Sequence, residues 1–188
     1  GQFISAWGAK GTSDGQFNKP HSMSSDRAGN VYVTDMNNHR IQKFTSDGKF
    51  VAKWGAEGSA DAQFLHPHGL DVDSAGNVYV ADMKNHRIQK FDSDGNFIMT
   101  WGSEGESDGQ LKNPAGVALD TLDNVYVTDQ DNGRIQKFTN DGRFITKWGS
   151  SGSGEGQFSE PEGLDVDTEG RVYVADTGNN RIQVFAPS

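Results

Sequence analysis

The stretch NVYVTDMNNHRIQKF, residues 30–44, decides the fold because it returns at a fixed spacing along the chain. Related stretches occupy residues 77–91, 124–138 and 171–185, each 47 residues after the one before it. Four residue types keep the same step: Trp7, Trp54, Trp101 and Trp148; Pro20, Pro67, Pro114 and Pro161; Asp35, Asp82, Asp129 and Asp176; Arg40, Arg87, Arg134 and Arg181. Four such periods account for all 188 residues. A constant period of this length is typical of repeat architectures.

Each period contains four short runs rich in Val, Ile, Tyr, Phe and Trp. In the second period these runs are HGLDVD, VYVAD, RIQKF and FIMTW, and Gly, Asn and Asp residues separate them. Asp-Gly pairs between the third and fourth runs supply the positive φ of tight hairpin turns. No run of ten or more residues has a helical period. One period therefore predicts a four-stranded antiparallel meander, the unit of a propeller blade.

We therefore predict one all-β domain over residues 1–188, a β-propeller of four four-stranded blades. The blades are expected at residues 21–54, 68–101, 115–148 and 162–186. The chain opens with FISAW, residues 3–7, which matches an outer strand such as FVAKW, and ends on a third strand. We expect the strand near Phe3 to Trp7 to complete the fourth blade, since pairing the two would remove an exposed edge.

The spare strand allows two forms of ring closure. Pairing within one chain gives a four-bladed monomer with about 90° between blades, by division of a circle among its blades. Exchange of the strand between two chains gives an eight-bladed homodimer with about 45° between blades, by the same division. We favour the monomer, because intramolecular closure benefits from a high effective concentration.

The repeated stretches, together with the linking segments GTSDGQFNKP and GSGEGQFSEP, resemble NHL repeats over essentially the whole chain. The resemblance implies a β-propeller, most often six-bladed, from which four repeats depart. It also implies a platform that binds proteins and, in some members, RNA. One enzymatic branch, the peptide-amidating lyases, holds zinc with histidines that directly follow a blade proline.

The composition limits the partners. The formal net charge of −9 argues against a nucleic-acid partner, because phosphate binding depends on Lys and Arg contacts. No apolar stretch reaches the length of a membrane span. The absence of cysteine excludes disulfides and thiolate metal sites, and leaves the compartment undetermined.

The residue after each blade proline breaks the repeat symmetry. The four motifs are KPHSM, HPHGL, NPAGV and EPEGL, so this position holds His21, His68, Ala115 and Glu162. A ring would aim these side chains at one axial point, and imidazole with carboxylate suits zinc or another divalent ion. His21 and His68 match the Pro-His pattern of the lyase branch, whereas Ala115 and Glu162 do not. We therefore expect His21, His68 and Glu162 as metal ligands if a metal binds; otherwise the histidines bond neighbouring loops.

Some of the other positions that recur or vary between repeats have structural explanations, and for the rest the sequence leaves the role open. The Asp35 and Arg40 sets, present in every blade, are expected to pair within turns. His39 and His86, on the turns between second and third strands, are further candidates for ligand or peptide contacts. Asp71 and Asp165 either line an acidic axial channel or bond backbone at a strand edge.

Three functions compete. The favoured one is a non-catalytic module that presents variable loops on a rigid scaffold to a protein or peptide. The alternative is a metal-dependent lyase or hydrolase that uses His21, His68 and Glu162. The third is a purely structural unit, engineered or excised, which the unbroken period and the first residue, Gly1, favour.

Overall fold

The computed structural model describes residues 1–187 and shows a β-propeller of four antiparallel blades. Each strand hydrogen-bonds to the next strand along the chain within its blade. Blade 1 contains β1 (Pro20–Ser25), β2 (Val31–Asp35), β3 (Arg40–Phe44) and β4 (Phe50–Trp54). Blade 2 contains β5 (Pro67–Val72), β6 (Val78–Asp82), β7 (Arg87–Phe91) and β8 (Phe97–Trp101). Blade 3 contains β9 (Pro114–Leu119), β10 (Val125–Asp129), β11 (Arg134–Phe138) and β12 (Phe144–Trp148). Blade 4 contains β13 (Pro161–Val166), β14 (Val172–Asp176) and β15 (Arg181–Phe185).

A short 3₁₀ turn joins the second and third strands of every blade. These turns are Met36–Asn38, Met83–Asn85, Gln130–Asn132 and Thr177–Asn179. The aspartate before each turn pairs with the arginine after it; Asp129 Oδ2, for example, lies 2.6 Å from Arg134 Nε. Asp129 also accepts the amide N–H of Lys112 from the loop that leads into the blade. The predicted structural role of the Asp and Arg sets is confirmed.

Apolar side chains between adjacent blades form the core. At the first junction Tyr32 and Ile41 of blade 1 pack with Leu70, Val80 and Phe91 of blade 2. The same arrangement recurs between blades 2 and 3 and between blades 3 and 4. Alternation along each strand supplies the two faces, because successive side chains point to opposite sides of a sheet.

The first and last blades do not pack in this way. Strand β13 lies beside β9, but within residues 1–187 it makes no comparable contact with β1. Ile182 is 65% exposed, whereas its equivalent Ile135 is fully buried against blade 4. The face of blade 4 that would meet blade 1 is therefore open.

The prediction that residues 3–7 complete blade 4 is wrong. In the part of the chain that the structure describes, residues 3–7 form no strand and blade 4 has three strands. Trp7 instead packs against Phe44 and Gly48 of blade 1, with ring centroids of Trp7 and Phe44 6.2 Å apart. Each outer-strand tryptophan makes this contact with the following blade, as Trp54 does with Phe91. Trp7 follows the same packing rule, which places the N-terminal segment beside blade 1 and away from β15.

Among residues 1–187, no helix has the length and apolar character of a bilayer-spanning segment.

Candidate functional site

The four inner strands surround an axial cavity of about 270 Å³. In each inner strand the pairing register shifts by one residue just after the proline, as between Pro20 and Met23. Such a bulge redirects a side chain out of the regular alternation. The residues after the prolines, His21, His68, Ala115 and Glu162, all line the cavity. The four equivalent positions thus lie around one cavity, as the repeat predicts.

Glycine allows the inner strands to approach each other closely around the cavity. A Cβ on Gly69 would lie 2.5 Å from the carbonyl oxygen of Ala115. One on Gly116 would lie 2.4 Å from the carbonyl oxygen of Glu162. Any side chain at these two positions would therefore push neighbouring blades apart.

His68 is the most constrained side chain of the cavity. It is 8% exposed, and its Nδ1 lies 3.2 Å from the carbonyl oxygen of Ala115. Because a carbonyl only accepts, Nδ1 carries the proton and Nε2 is the unprotonated nitrogen of the neutral ring. Burial, and then the charge of His21, lowers the pKa of His68 to about 4. His68 is therefore neutral at pH 7.

His21 and Glu162 complete the polar lining. The rings of His21 and His68 have centroids 3.7 Å apart. Burial lowers the pKa of His21, and the charge of Glu162 partly opposes that shift. Within residues 1–187, no three His, Asp or Glu side chains lie in an arrangement that could hold a metal ion. The metal site at His21, His68 and Glu162 thus stays a prediction.

Asp71, on β5, bonds to the inner strand on each side of it, β1 and β9. Its Oδ1 accepts the hydroxyl of Ser24 at 2.7 Å, and its Oδ2 accepts the amide N–H of Leu119 at 2.9 Å. Burial raises its pKa, and these hydrogen bonds oppose the rise. Asp71 thus bonds backbone at a strand edge, one of its two predicted roles, and it also lines a cavity of about 230 Å³ with several other aspartates.

His39 and His86 join neighbouring blades. The Nδ1 atom of His39 accepts the amide N–H of His66 at 3.3 Å, and that of His86 accepts the amide N–H of Asn113 at 3.1 Å. Both imidazoles thus close the junction between their own blade and the following one.

Gly133 occupies the equivalent place at the junction of blades 3 and 4 and has no side chain to close it. A groove of about 640 Å³ lies there, on the same edge of the blades as the mouth of the axial cavity. Sequence reasoning aligned Gly133 with His39 and His86 but did not identify the groove. The signal was the loss of an imidazole at one member of a repeated set.

Comparison with solved structures finds the fold in lyases and in a protein of unknown function. The structure of a streptogramin B lyase is 16% identical, with a TM-score of 0.67 over 89% of this chain and 54% of that one. A catalytically inactive virginiamycin B lyase from Staphylococcus aureus, with quinupristin, is 18% identical, with a TM-score of 0.66 over 95% and 57%. A protein of unknown function from Bacteroides thetaiotaomicron is 18% identical, with a TM-score of 0.72 over 89% and 47%.

The chain spans about half the length of these structures, and at such identities the likeness concerns the fold alone. The sequence is more specific than the fold, because a family model recognises each of the four repeats. The NHL repeat model matches residues 17–44, 64–91, 111–138 and 158–185, which together cover more than half of the chain. The chain belongs to the NHL-repeat family.

Proposed function

We propose that this chain is a non-catalytic binding module that takes a protein or peptide segment on its loop face. The observation that carries the proposal is the groove at the junction of blades 3 and 4. Hydrogen-bonding groups of Gln130, Ser151, Ser159 and Asn179 line it, and a peptide backbone needs such donors and acceptors. A rigid scaffold with polar loops is where recognition commonly occurs.

The backbone beside the axial cavity supports a recognition role for this face. The residue before each blade proline has a left-handed backbone, with φ between 50° and 61°, and none of the four is glycine. They are Lys19, His66, Asn113 and Glu160. Left-handed backbone is costly for ordinary side chains, and such strain clusters at functional sites. The chain thus keeps four different side chains at the rim of the loop face despite the strain.

The proposal is tested by panning a phage-displayed library of random dodecapeptides on the immobilised chain. We expect enriched peptides whose binding is lost in Gly133→His, which adds an imidazole at the groove and displaces Ser151, whose Cα and N would lie 2.8 Å from the new Cβ. The matched control is His86→Asn, which removes an imidazole from another junction and places there the residue that blade 4 carries at Asn180. Enrichment of no peptide, or equal binding to Gly133→His, would contradict the proposal.

We further propose a divalent metal, such as zinc, at the axial cavity as a second candidate, which would support a lyase or hydrolase. The supporting observation is that His21, His68 and Glu162 line one cavity and that His68 Nδ1–H donates to a backbone carbonyl. Metal-binding histidines commonly donate their other N–H in this way. A carboxylate would have to move to complete the set, because no three ligands are in reach within residues 1–187.

Zinc titration followed by calorimetry tests the metal site. We expect one zinc per chain in the native sequence and weaker binding in His68→Ala, which carries the residue that blade 3 has at Ala115. The control is His66→Asn, because His66 lies outside the cavity and Asn113 occupies the same left-handed position in blade 3. Unchanged zinc affinity in His68→Ala would contradict this candidate.

A further inference from the structure

The groove at the junction of blades 3 and 4 differs in charge from the other two junctions. Two acidic side chains, Asp131 from blade 3 and Glu160 from the loop before blade 4, line it and are exposed. The corresponding residues between blades 2 and 3 are Lys84 and Asn113, and Lys84 Nζ donates to Asn113 Oδ1 at 3.2 Å. The acidic pair and the missing imidazole thus coincide at one junction.

The hydrogen-bonding groups of this groove are only partly used within the protein. One carboxylate oxygen of Asp131, Oδ2, accepts the side-chain amide of Asn113 at 2.5 Å. The amide N–H of Glu160 is equivalent to those of His66 and Asn113. These two donate hydrogen bonds to the imidazoles of His39 and His86. Within residues 1–187 the Glu160 N–H has no acceptor, because Gly133 stands in place of the imidazole.

Among the described residues, two features therefore face a ligand together: the Glu160 N–H, which has no acceptor, and the carboxylates of Asp131 and Glu160, which form no ion pair. Lys112 also lines the groove, so the formal charge of Lys112, Asp131 and Glu160 together is −1. A peptide segment with an arginine or lysine supplies both complements, a carbonyl for the N–H and a cation for the carboxylates.

We propose that this groove binds a peptide segment through an arginine or lysine side chain placed at Asp131 and Glu160, with a peptide carbonyl accepting the Glu160 N–H. The inference rests on the proposed binding function and names the chemistry of its ligand. The groove accounts for one residue of specificity, and the flanking loops contact the remainder of the segment.

The test is an NMR titration of the 188-residue chain with the acetylated and amidated tripeptide Gly-Arg-Gly, with Gly-Lys-Gly and Gly-Gln-Gly in parallel. We expect saturable shifts of the amide signals of Gly133, Gly152 and Glu160 with the arginine and lysine peptides. The glutamine peptide, which is neutral, should produce none at the same concentration.

Charge and shape are then separated by two variants. Asp131→Asn with Glu160→Gln keeps the side-chain sizes and should weaken arginine-peptide binding by about 2-fold to 30-fold, the range of two exposed ion pairs. Gly133→His should abolish binding, because its Cβ would lie 2.8 Å from the Cα and N of Ser151 and would displace this part of the groove lining. Unchanged amide signals of the remaining residues show that each variant is folded. If Gly133→His does not fold, the charge variant, which keeps the side-chain sizes, still tests the inference.

Each outcome discriminates. No shift in the groove with the charged peptides, equal shifts with the glutamine peptide, or full affinity in the charge variant would overturn the inference. If dodecapeptides bind at the groove without arginine or lysine, the binding function stands and the cationic ligand does not. If no dodecapeptide binds at all, the binding function itself fails.

Discussion

At the scale of single residues, one hydroxyl can join two blades. Thr128 Oγ1 accepts the amide N–H of Gly116 at 2.6 Å and donates to the carbonyl oxygen of Glu162 at 2.8 Å. Thr34 bonds in the same way across the first junction, to the carbonyl of His68. Blade 2 has Ala81 at this position, so the backbone accepts the smaller side chain.

We predict that Thr128→Ala lowers the free energy of unfolding by about 1–3 kcal/mol, the cost of leaving buried polar groups without partners. Urea unfolding followed by tryptophan fluorescence measures it. The control is Thr121→Ala, an exposed threonine on a turn, which should change the stability by less than about 0.5 kcal/mol. Equal stabilities of the two variants would show that the hydroxyl bridge contributes nothing.

The residue scale also shows which parts of the site a sequence can predict. Repeat alignment placed His21, His68 and Glu162 together because equivalent positions of a propeller converge on its axis. It did not predict that the Ala115 carbonyl fixes the tautomer of His68, because that contact joins the backbone of one blade to the side chain of another. The groove at Gly133 was missed for a similar reason: the aligned sequences show that an imidazole is absent there, but not that the imidazoles of His39 and His86 bond to the next blade.

At the scale of elements, the pair formed by Asp129 and Arg134 fixes the turn, the third strand and the preceding loop together. Asp129 is fully buried, and Arg134 Nη1 and Nη2 also donate to carbonyls of the loop at Glu106, Ser107 and Gln110. The arginine thus anchors the loop that leads into its own blade. The position of the Arg134 guanidinium depends in turn on the negative charge of Asp129.

Asp129→Ala is predicted to lower the free energy of unfolding by about 3–5 kcal/mol, because it leaves a buried guanidinium without its counter-charge. The control is Asp141→Ala, whose partner Arg143 is exposed, and it should have a much smaller effect. Chemical denaturation measures both variants. A loss in Asp129→Ala no larger than in the control would mean that the loop carbonyls alone satisfy Arg134.

The sequence predicts strands correctly where the period is regular. The strand predicted at residues 3–7, which does not form, shows what the local pattern cannot predict. The blade runs alternate apolar and polar residues and end at turn residues, so local sequence determines them. Residues 3–7 carry the same pattern, but a strand also needs a partner edge. Trp7 packs on blade 1, and within residues 1–187 the segment 3–7 pairs with no strand.

At the scale of the whole molecule, three junctions are packed and the faces that would form a fourth are open. On blade 4 the open face carries Ile182 and Val184, which are 65% and 53% exposed. On the open face of blade 1, Met23 is 71% exposed, whereas its equivalent in blade 2, Leu70, is buried at the first junction. The two open faces have the residue types of the two sides of a packed junction, so they are complementary to each other.

A polypeptide of these 188 residues alone is therefore predicted to self-associate head to tail, whatever adjoins them in a longer protein. Burial of Ile182 against Met23 of a second copy repeats the packing of Ile41 against Leu70. Light scattering over a range of concentrations should give a mass above 20.4 kDa, and Ile182→Lys should lower that mass towards the monomer value. The control is Ile145→Lys, because Ile145 is exposed on an outer strand away from both open faces. A mass of 20.4 kDa at every concentration would contradict the prediction, and it would show that the open faces close within one chain or stay in water without a partner.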